Sequence, residues 1–351
     1  MVVSEGQSLA DSFNQLSTDL TTIQGNAASQ YASLTGPNGQ VMSDATQIAS
    51  LNTAIQQAHT AGEDPNQLQD QQNQLIDDLS GLANISVSSG VVGSPTVNSA
   101  MVNITLGGAA LVTVSDTGST VNTPPPGGVV QPGGDWQSQI SSSTPADVGG
   151  TIGGLMNVAG TAIAGGSARQ IDGYLKQLSN VESALASEVN NPTIPAGTGL
   201  ATGPPPGPAY VLPALGTNFF TYTAPSAGVP ASLAVTAAAA AGNVETTDTL
   251  NPGDNDVAAA IANLSGGSAD QAYGGFVSQV GSNAQSADST ATTQQALTTA
   301  VSNQRQSVEG VDLSQEETNV IQEQQAYQAS ASVMNAFNTM IGTLLGMVGV
   351  S

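Results

Sequence analysis

The sequence predicts a mainly helical protein with small β inserts (α+β). Long coiled-coil-like helices from both chain ends pair antiparallel into a rod, and short strands and Pro/Gly linkers occupy the middle. Three observations carry this expectation. Apolar residues recur every three or four positions at both ends of the chain. The period switches to two after Asn84. Runs rich in Pro and Gly, Thr123 to Gly134 and Asn190 to Pro208, punctuate the centre.

The first helix is marked by Leu9, Phe13, Leu16, Leu20, Ile23, Ala27, Tyr31 and Leu34. The run Thr35, Gly36, Pro37, Asn38, Gly39 breaks it, because Pro lacks a donor and Gly favours turn dihedrals. Val41, Ala45, Ile48, Leu51, Ile55 and Ala58 mark a second helix, and after a turn at Gly62 to Pro65 a third carries Leu68, Leu75, Ile76, Leu79 and Leu82. Short strands follow at Ile85 and Val87, at Val102 to Leu106 and at Leu111 to Val114. A fourth helix is expected along Ile163, Ile171, Tyr174, Leu178, Val181, Leu185 and Val189, then a few strands between Tyr210 and Ala237.

The last third reads as helix again. Tyr273, Phe276, Val277, Val280, Ala284, Ala287 and Ala291 share a face, and Leu297, Val301 and Val308 extend it. After Gly310, Ser314 and Glu317 form a capping box that starts a terminal helix. In that helix Val320, Tyr327, Met334, Ile341 and Val348 recur every seven residues, with Phe337 and Leu344 as second seam positions, a pattern that asks for a helix or subunit to pack against. The expected segments are 1–83, an N-terminal helical rod; 84–134, a small β insert and linker; 135–191, a helix returning to the rod; 192–267, linker and short strands; 268–313, a C-terminal rod helix; and 314–351, a terminal amphipathic helix for a polymer core.

Composition excludes much chemistry. The chain of 351 residues has 3 Lys plus Arg against 26 Asp plus Glu, one His and no Cys, for a formal charge of −23. With only Arg169, Lys176 and Arg305 to displace counterions, it is no candidate for nucleic acid or an anionic membrane surface. Disulfides, thiol nucleophiles, common zinc sites and His-based triads are absent for want of residues. Adjacent carboxylates such as Asp77 with Asp78 and Glu316 with Glu317 point about 100° apart on a helix and cannot flank a substrate. Asp254, Asn255 and Asp256 lack a closing bidentate Glu and read as a solvated turn. His59 reads as a charge near a helix C-terminus, and Trp136 as a linker anchor. The expectation is a non-enzyme with no catalytic residues, no cofactor and no metal. The apolar run Ala331 to Val350 is interrupted by Ser332, Asn335, Asn338, Thr339 and Thr343, so it reads as a partner-seeking helix, not a membrane span.

Two blocks add a resemblance: QIASLNTAI (Gln47 to Ile55) and PNQLQDQQNQLIDDLSGLANISV (Pro65 to Val87). They resemble the signature of the FlgK family, bacterial flagellar hook-associated proteins at the hook–filament junction. The fitting motif positions are Leu51, Asn52, Pro65, Asn66, Leu68, Asp70 and Leu75. SVEGVDLSQEE, with Gly310, Ser314 and Glu317, and QQAYQASASVM, with Tyr327 and Met334, resemble the closing motif shared by axial flagellar proteins. Weaker matches are GGTIGGL from Gly149, TNFF from Thr217 and GDN from Gly253. Relative to the family, a leading N-terminal segment is missing before Met1, TGPNG interrupts the N-terminal helix, and Gln72 and Asn73 stand where an Arg-Asp pair is usual, turning a charged contact into an amide hydrogen bond.

The resemblance implies an extracellular structural protein, exported through the flagellar type III apparatus, that polymerises with itself into a ring. It also implies contacts with hook protein, a second junction protein and flagellin-side neighbours, and a chaperone on the C-terminal helix before export. The competing expectations are another axial flagellar protein, such as a hook or flagellin relative, and a secreted adhesin or surface-layer module. A surface so poor in Lys and Arg fits an acidic exterior, where Asp and Glu are largely protonated and identical subunits repel one another less.

Overall fold

A computed structural model describes residues 2–90, 100–115, 118–121, 136–191, 193–194, 210–211, 218–226, 229–242, 260–309, 318, 320–328, 330, 332 and 334. The capping box Ser314 to Glu317, the linker Thr123 to Gly134, the side chain of Trp136 and the turn at Asp254 lie outside these residues. The chain divides into two compact units, Met1–Val280 and Gly281–Ser351. It is mainly helical with small antiparallel sheets.

The first unit opens with α1 (Val2–Thr35), α2 (Gln40–Ala61) and α3 (Asn66–Leu82). The Gly36–Gly39 break separates α1 from α2. Four strands follow, β1 (Ile85–Ser89), β2 (Val102–Leu106), β3 (Ala109–Ser115) and β4 (Gly118–Val121), in an antiparallel meander of order β1-β2-β3-β4. Its register pairs Ile85 with Leu106, Ile104 with Val112 and Val112 with Val121, with a shift between Ile104 and Thr105. Ile104, Leu106, Leu111 and Val114 are buried, while Val87 on β1 is 44% exposed.

Sequence reading expected one helix through Ile163 to Val189. The structure has α4 (Trp136–Ser142), α5 (Pro145–Val148), α6 (Gly150–Ala159), a 3-10 turn (Gly160–Ala162) and only then α7 (Gln170–Asn190). Ile163 is extended, at φ −85° and ψ 134°, and buried in the core beside α6. Glycines at 160, 165 and 166 break the run, and α7 starts where Asp172 accepts from the Arg169 amide at 2.9 Å.

Beyond α7 come the pair β5 (Thr193–Ile194) and β6 (Tyr210–Val211), the hairpin β7 (Phe220–Thr223) and β8 (Ser232–Val235), the short α8 (Ala237–Ala240), and α9 (Ser268–Glu309).

The main core joins Ala27 and Tyr31 of α1, Ile48 of α2, Leu79 of α3, the meander, Ile140 of α4 and Met156 of α6. A second cluster holds Leu20, Tyr174, Leu178 and Phe276; a third holds Ala10, Ala186, Phe220 and Leu233. The α1 stripe therefore differs from the expected one: Leu9 is 42% and Ile23 50% exposed, while Ala10 is fully buried. A 3.6-residue turn drifts across a stripe spaced near 3.5, and over 34 residues α1 presents different faces to the hairpin and to α6.

Candidate assembly surface

Of the motif residues of α2 and α3, Asn52 is the one in the interior of the helical unit. Asn52 is fully buried. Its Nδ2 donates to the Val102 carbonyl at 3.0 Å and to Ser119 Oγ at 3.1 Å, and its Oδ1 accepts from the Val102 amide and from Gln72 Nε2, both at 2.9 Å. One amide thus takes the place of a strand at the end of β2, where β3 has shifted register. Gln72, at a family Arg-Asp position, makes a neutral bond in the interior.

Pro65 caps α3 and accepts from the Leu68 and Gln69 amides. Asn66 donates to Asp64, Leu68 packs on the Ile55, Met101 and Val114 cluster, and Leu75 packs on the main core. Leu51 is half-buried and Asp70 exposed. Gly310, Ser314 and Glu317 lie outside the described residues.

Two further helical asparagines repeat the Asn52 device. Asn14 donates to the Leu233 carbonyl at 2.9 Å and accepts from its amide at 3.1 Å. Asn190 does the same with Phe220, at 2.8 Å and 3.0 Å. Together they seat the β7–β8 hairpin on α1 and α7. No periodicity announces these residues, since a polar residue on a helix face looks like solvent exposure until its partner strand is placed.

The start of α9 is held on the first unit by Glu188, whose carboxylate accepts from the Ser268 amide and hydroxyl at 2.5 Å, at the positive end of the helix. Tyr273 packs edge-on against Phe13 and Phe276 against Tyr174. Between α1, α7 and this turn of α9 lies an open apolar groove of about 400 Å³, lined by Leu9, Phe13, Leu16, Val181, Leu185 and Tyr273, with Asp270 the one charged residue on its wall.

In the second unit residues 281–307 of α9 are all exposed except Asn283, which is half-buried. Ala284, Ala287 and Ala291 are among them, and Leu297 and Val301 are 56% and 48% exposed. Residues 318, 320–328, 330, 332 and 334 are helical, with Val320 50%, Tyr327 78% and Met334 64% exposed. Phe337, Ile341, Leu344 and Val348 lie outside the described residues.

Among the described residues three carboxyls depart from their ordinary values. Burial pushes Asp172 up, but hydrogen bonds from Thr161, the Arg169 amide and Gln24 outweigh it and hold the carboxyl low. Burial, aided by Asp78, raises Asp44 against an opposing hydrogen bond from Gln40. Burial alone pushes Glu182 up to about 7. None of the three was singled out in the sequence. Among the described residues no group of three or more His, Cys, Asp or Glu is placed to hold a metal ion, and no helix is long and apolar enough to cross a membrane.

The family model of the flagellar hook-associated protein FlgK helical domain matches residues 1–200. The chain is also similar to flagellar hook-associated protein 1 of Bacillus subtilis (strain 168), 36% identical over 88 residues. That stretch is 25% of this chain and spans only 17% of the relative. The family match covers the meander, α4 to α7 and the three helices that carry the motif, and by it the chain belongs to the FlgK family of flagellar hook-associated proteins.

Proposed function

We propose that the chain is a structural, non-enzymatic component of the bacterial flagellum that joins hook to filament by self-assembly into a tubular lattice outside the cell. The observation that carries this reading is the family match over residues 1–200. It is supported by a C-terminal unit whose apolar residues Leu297, Val301, Val320, Ile321, Tyr327 and Met334 are left 47–78% exposed. A long helix with no buried face gains little stability from propensity alone, so such a surface calls for a partner.

On this reading the heptad seam from Val320 through Tyr327, Met334, Phe337, Ile341 and Leu344 to Val348 packs against neighbouring subunits. Hook protein, a second junction protein and flagellin-side neighbours flank the ring. A chaperone shields the same seam before type III export.

The test is a gene deletion complemented with wild-type chain or with Tyr327→Asp/Met334→Asp. The deletion is expected to keep its hooks and shed unpolymerised filament subunits into the medium, and the double variant to behave like the deletion. Full filaments on the deletion strain refute the junction role. Full filaments with the double variant refute the seam.

A further inference from the structure

Glu182 lies in the middle of α7 with no exposed surface, and among the described residues neither carboxyl oxygen has a hydrogen-bond partner. Its place on the helix defines what surrounds it. One turn earlier, Ser179 shares a 2.6 Å hydrogen bond with the Tyr222 hydroxyl of β7. One turn later, Ala186 packs with Ala10, Phe220 and Leu233, and Asn190 follows with its paired bonds to Phe220. This face of α7 is where α1 and the β7–β8 hairpin close on it.

The polar groups of that contact are already committed. The Asn14 amide is spent on Leu233 and the Asn190 amide on Phe220, while Ser179 and Tyr222 hold each other.

No packed element brings a cation. On α1 the carboxylates are Glu5, Asp11 and Asp19, all exposed, and Tyr31 lies in the main core. Tyr222 is the only titratable residue on β7, and β8, α6 and the 3-10 turn have none. On α7 itself Lys176 is exposed, Asp172 is bound by Gln24 and Thr161, and Glu188 is bound to Ser268. At the start of α9, Asp270 accepts from the Gly266 amide. An ionised carboxylate enclosed without a partner is strongly disfavoured, so a closed contact selects the neutral acid.

We propose that Glu182 is a proton-operated latch for the β7–β8 hairpin: as the neutral acid it lets α1, α7 and the hairpin close over it, and as the carboxylate it drives that contact open. The closed form binds the proton more tightly than the open form. Closure is therefore fully favoured below the ordinary glutamate value of 4.5 and is lost as pH rises to about 7. A displacement of that size corresponds to roughly a 300-fold rise in the opening equilibrium once the group is ionised. The direction suits a chain that is loose at neutral pH and consolidates in acid.

The experiment is hydrogen exchange of the full chain, corrected for intrinsic rates, from pH 4 to pH 8, on the wild type, Glu182→Gln and Glu182→Leu. In the wild type, exchange from residues 218–226 and 229–236 is expected to rise up to about 300-fold across this range, and in both variants to lose that pH dependence. Flat exchange in the wild type, or the same rise in a folded variant, overturns the latch. Infrared titration of glutamate carboxyls in the wild type gives an answer even where neither variant folds. A carboxyl still protonated near pH 6.5 supports the latch, and all glutamates ionised by pH 5.5 refute it.

Discussion

Replacing Asn52 with leucine removes the side chain that meets both main-chain groups of Val102 and the amide of Gln72. The volumes are close, so the change tests hydrogen bonding more than packing. The Val102 amide, the Val102 carbonyl and Gln72 Nε2 lose a partner in a region where Asn52 and Gln72 are 0% and 2% exposed. Each buried group left unsatisfied costs about 1–3 kcal/mol, and burial of the leucine offsets part of the sum. The expected loss is about 3–5 kcal/mol, a large fraction of the 5–15 kcal/mol typical of a folded domain. Urea unfolding followed by circular dichroism measures it as a lowered midpoint with an unchanged slope. Gln72→Leu and the double variant complete a cycle, with an expected coupling of about 1 kcal/mol. Asn52→Asp adds a signature that a packing defect lacks. Its carboxylate opposes the Val102 carbonyl, and protonation restores a donor, so stability is regained as pH falls. A cost under about 1 kcal/mol for Asn52→Leu, or additive single variants, refutes the role assigned to this amide.

Two other outcomes follow from the same structure. Gly149 has φ +61°, and a Cβ there would lie 2.4 Å from Asn84 Nδ2, so Gly149→Ala is expected to cost about 2–4 kcal/mol, whereas Gly154→Ala, with nothing within 4 Å, is neutral or slightly stabilising in the same unfolding assay. The melting temperature is expected to rise as pH falls from 8 to about 4.5, because the neutral forms of Glu182 and Asp44 are favoured in the folded state. Glu182 alone contributes roughly 3 kcal/mol. Below about 3.8 the curve turns down, as Asp172, whose folded value is lowered, takes up a proton and loses its bonds, and Asp172→Asn removes that acid limb; a melting temperature that climbs steadily from pH 4 to pH 8 refutes the Glu182 and Asp44 assignments, and an acid limb unchanged in Asp172→Asn refutes that of Asp172.

The helices and the meander were legible because burial on one face leaves a periodic trace. Ile48, Ile55, Leu79, Ile104, Leu106 and Leu178 are all core residues. The 136–162 region was not, because three short helices joined by Gly149, Gly150 and Gly160 give no window long enough to show a period. Gly149 and Gly150 both have positive φ, and a Cβ on the second would approach the Leu82 carbonyl at 2.5 Å; the GGTIGGL run marks a corner fitted against Asn84 and the end of α3. Asn84, which in the sequence marks only the change of period, donates its own amide to the Val148 carbonyl at 2.7 Å. Nor could periodicity reveal Glu182, a charged letter that reads as surface until the hairpin covers it.

The scarcity of Lys and Arg also has a structural counterpart inside the first unit. Where many proteins tie elements together with ion pairs, here many of the links between distant elements are side-chain amides: Asn14 to β8, Gln24 to Asp172, Asn52 to β2, Gln72 to Asn52, Gln137 to Thr35 and Asn190 to β7. An amide keeps its donors and acceptor at every pH between 2 and 10, whereas an ion pair weakens as its carboxylate takes up a proton. The amide-to-backbone clamps therefore keep their strength while the exposed carboxylates gain or lose charge. That division lets surface repulsion between identical chains vary with pH without dissolving the helical unit, and it leaves Glu182, alone against the hairpin, as the interior group that responds most strongly to the same change.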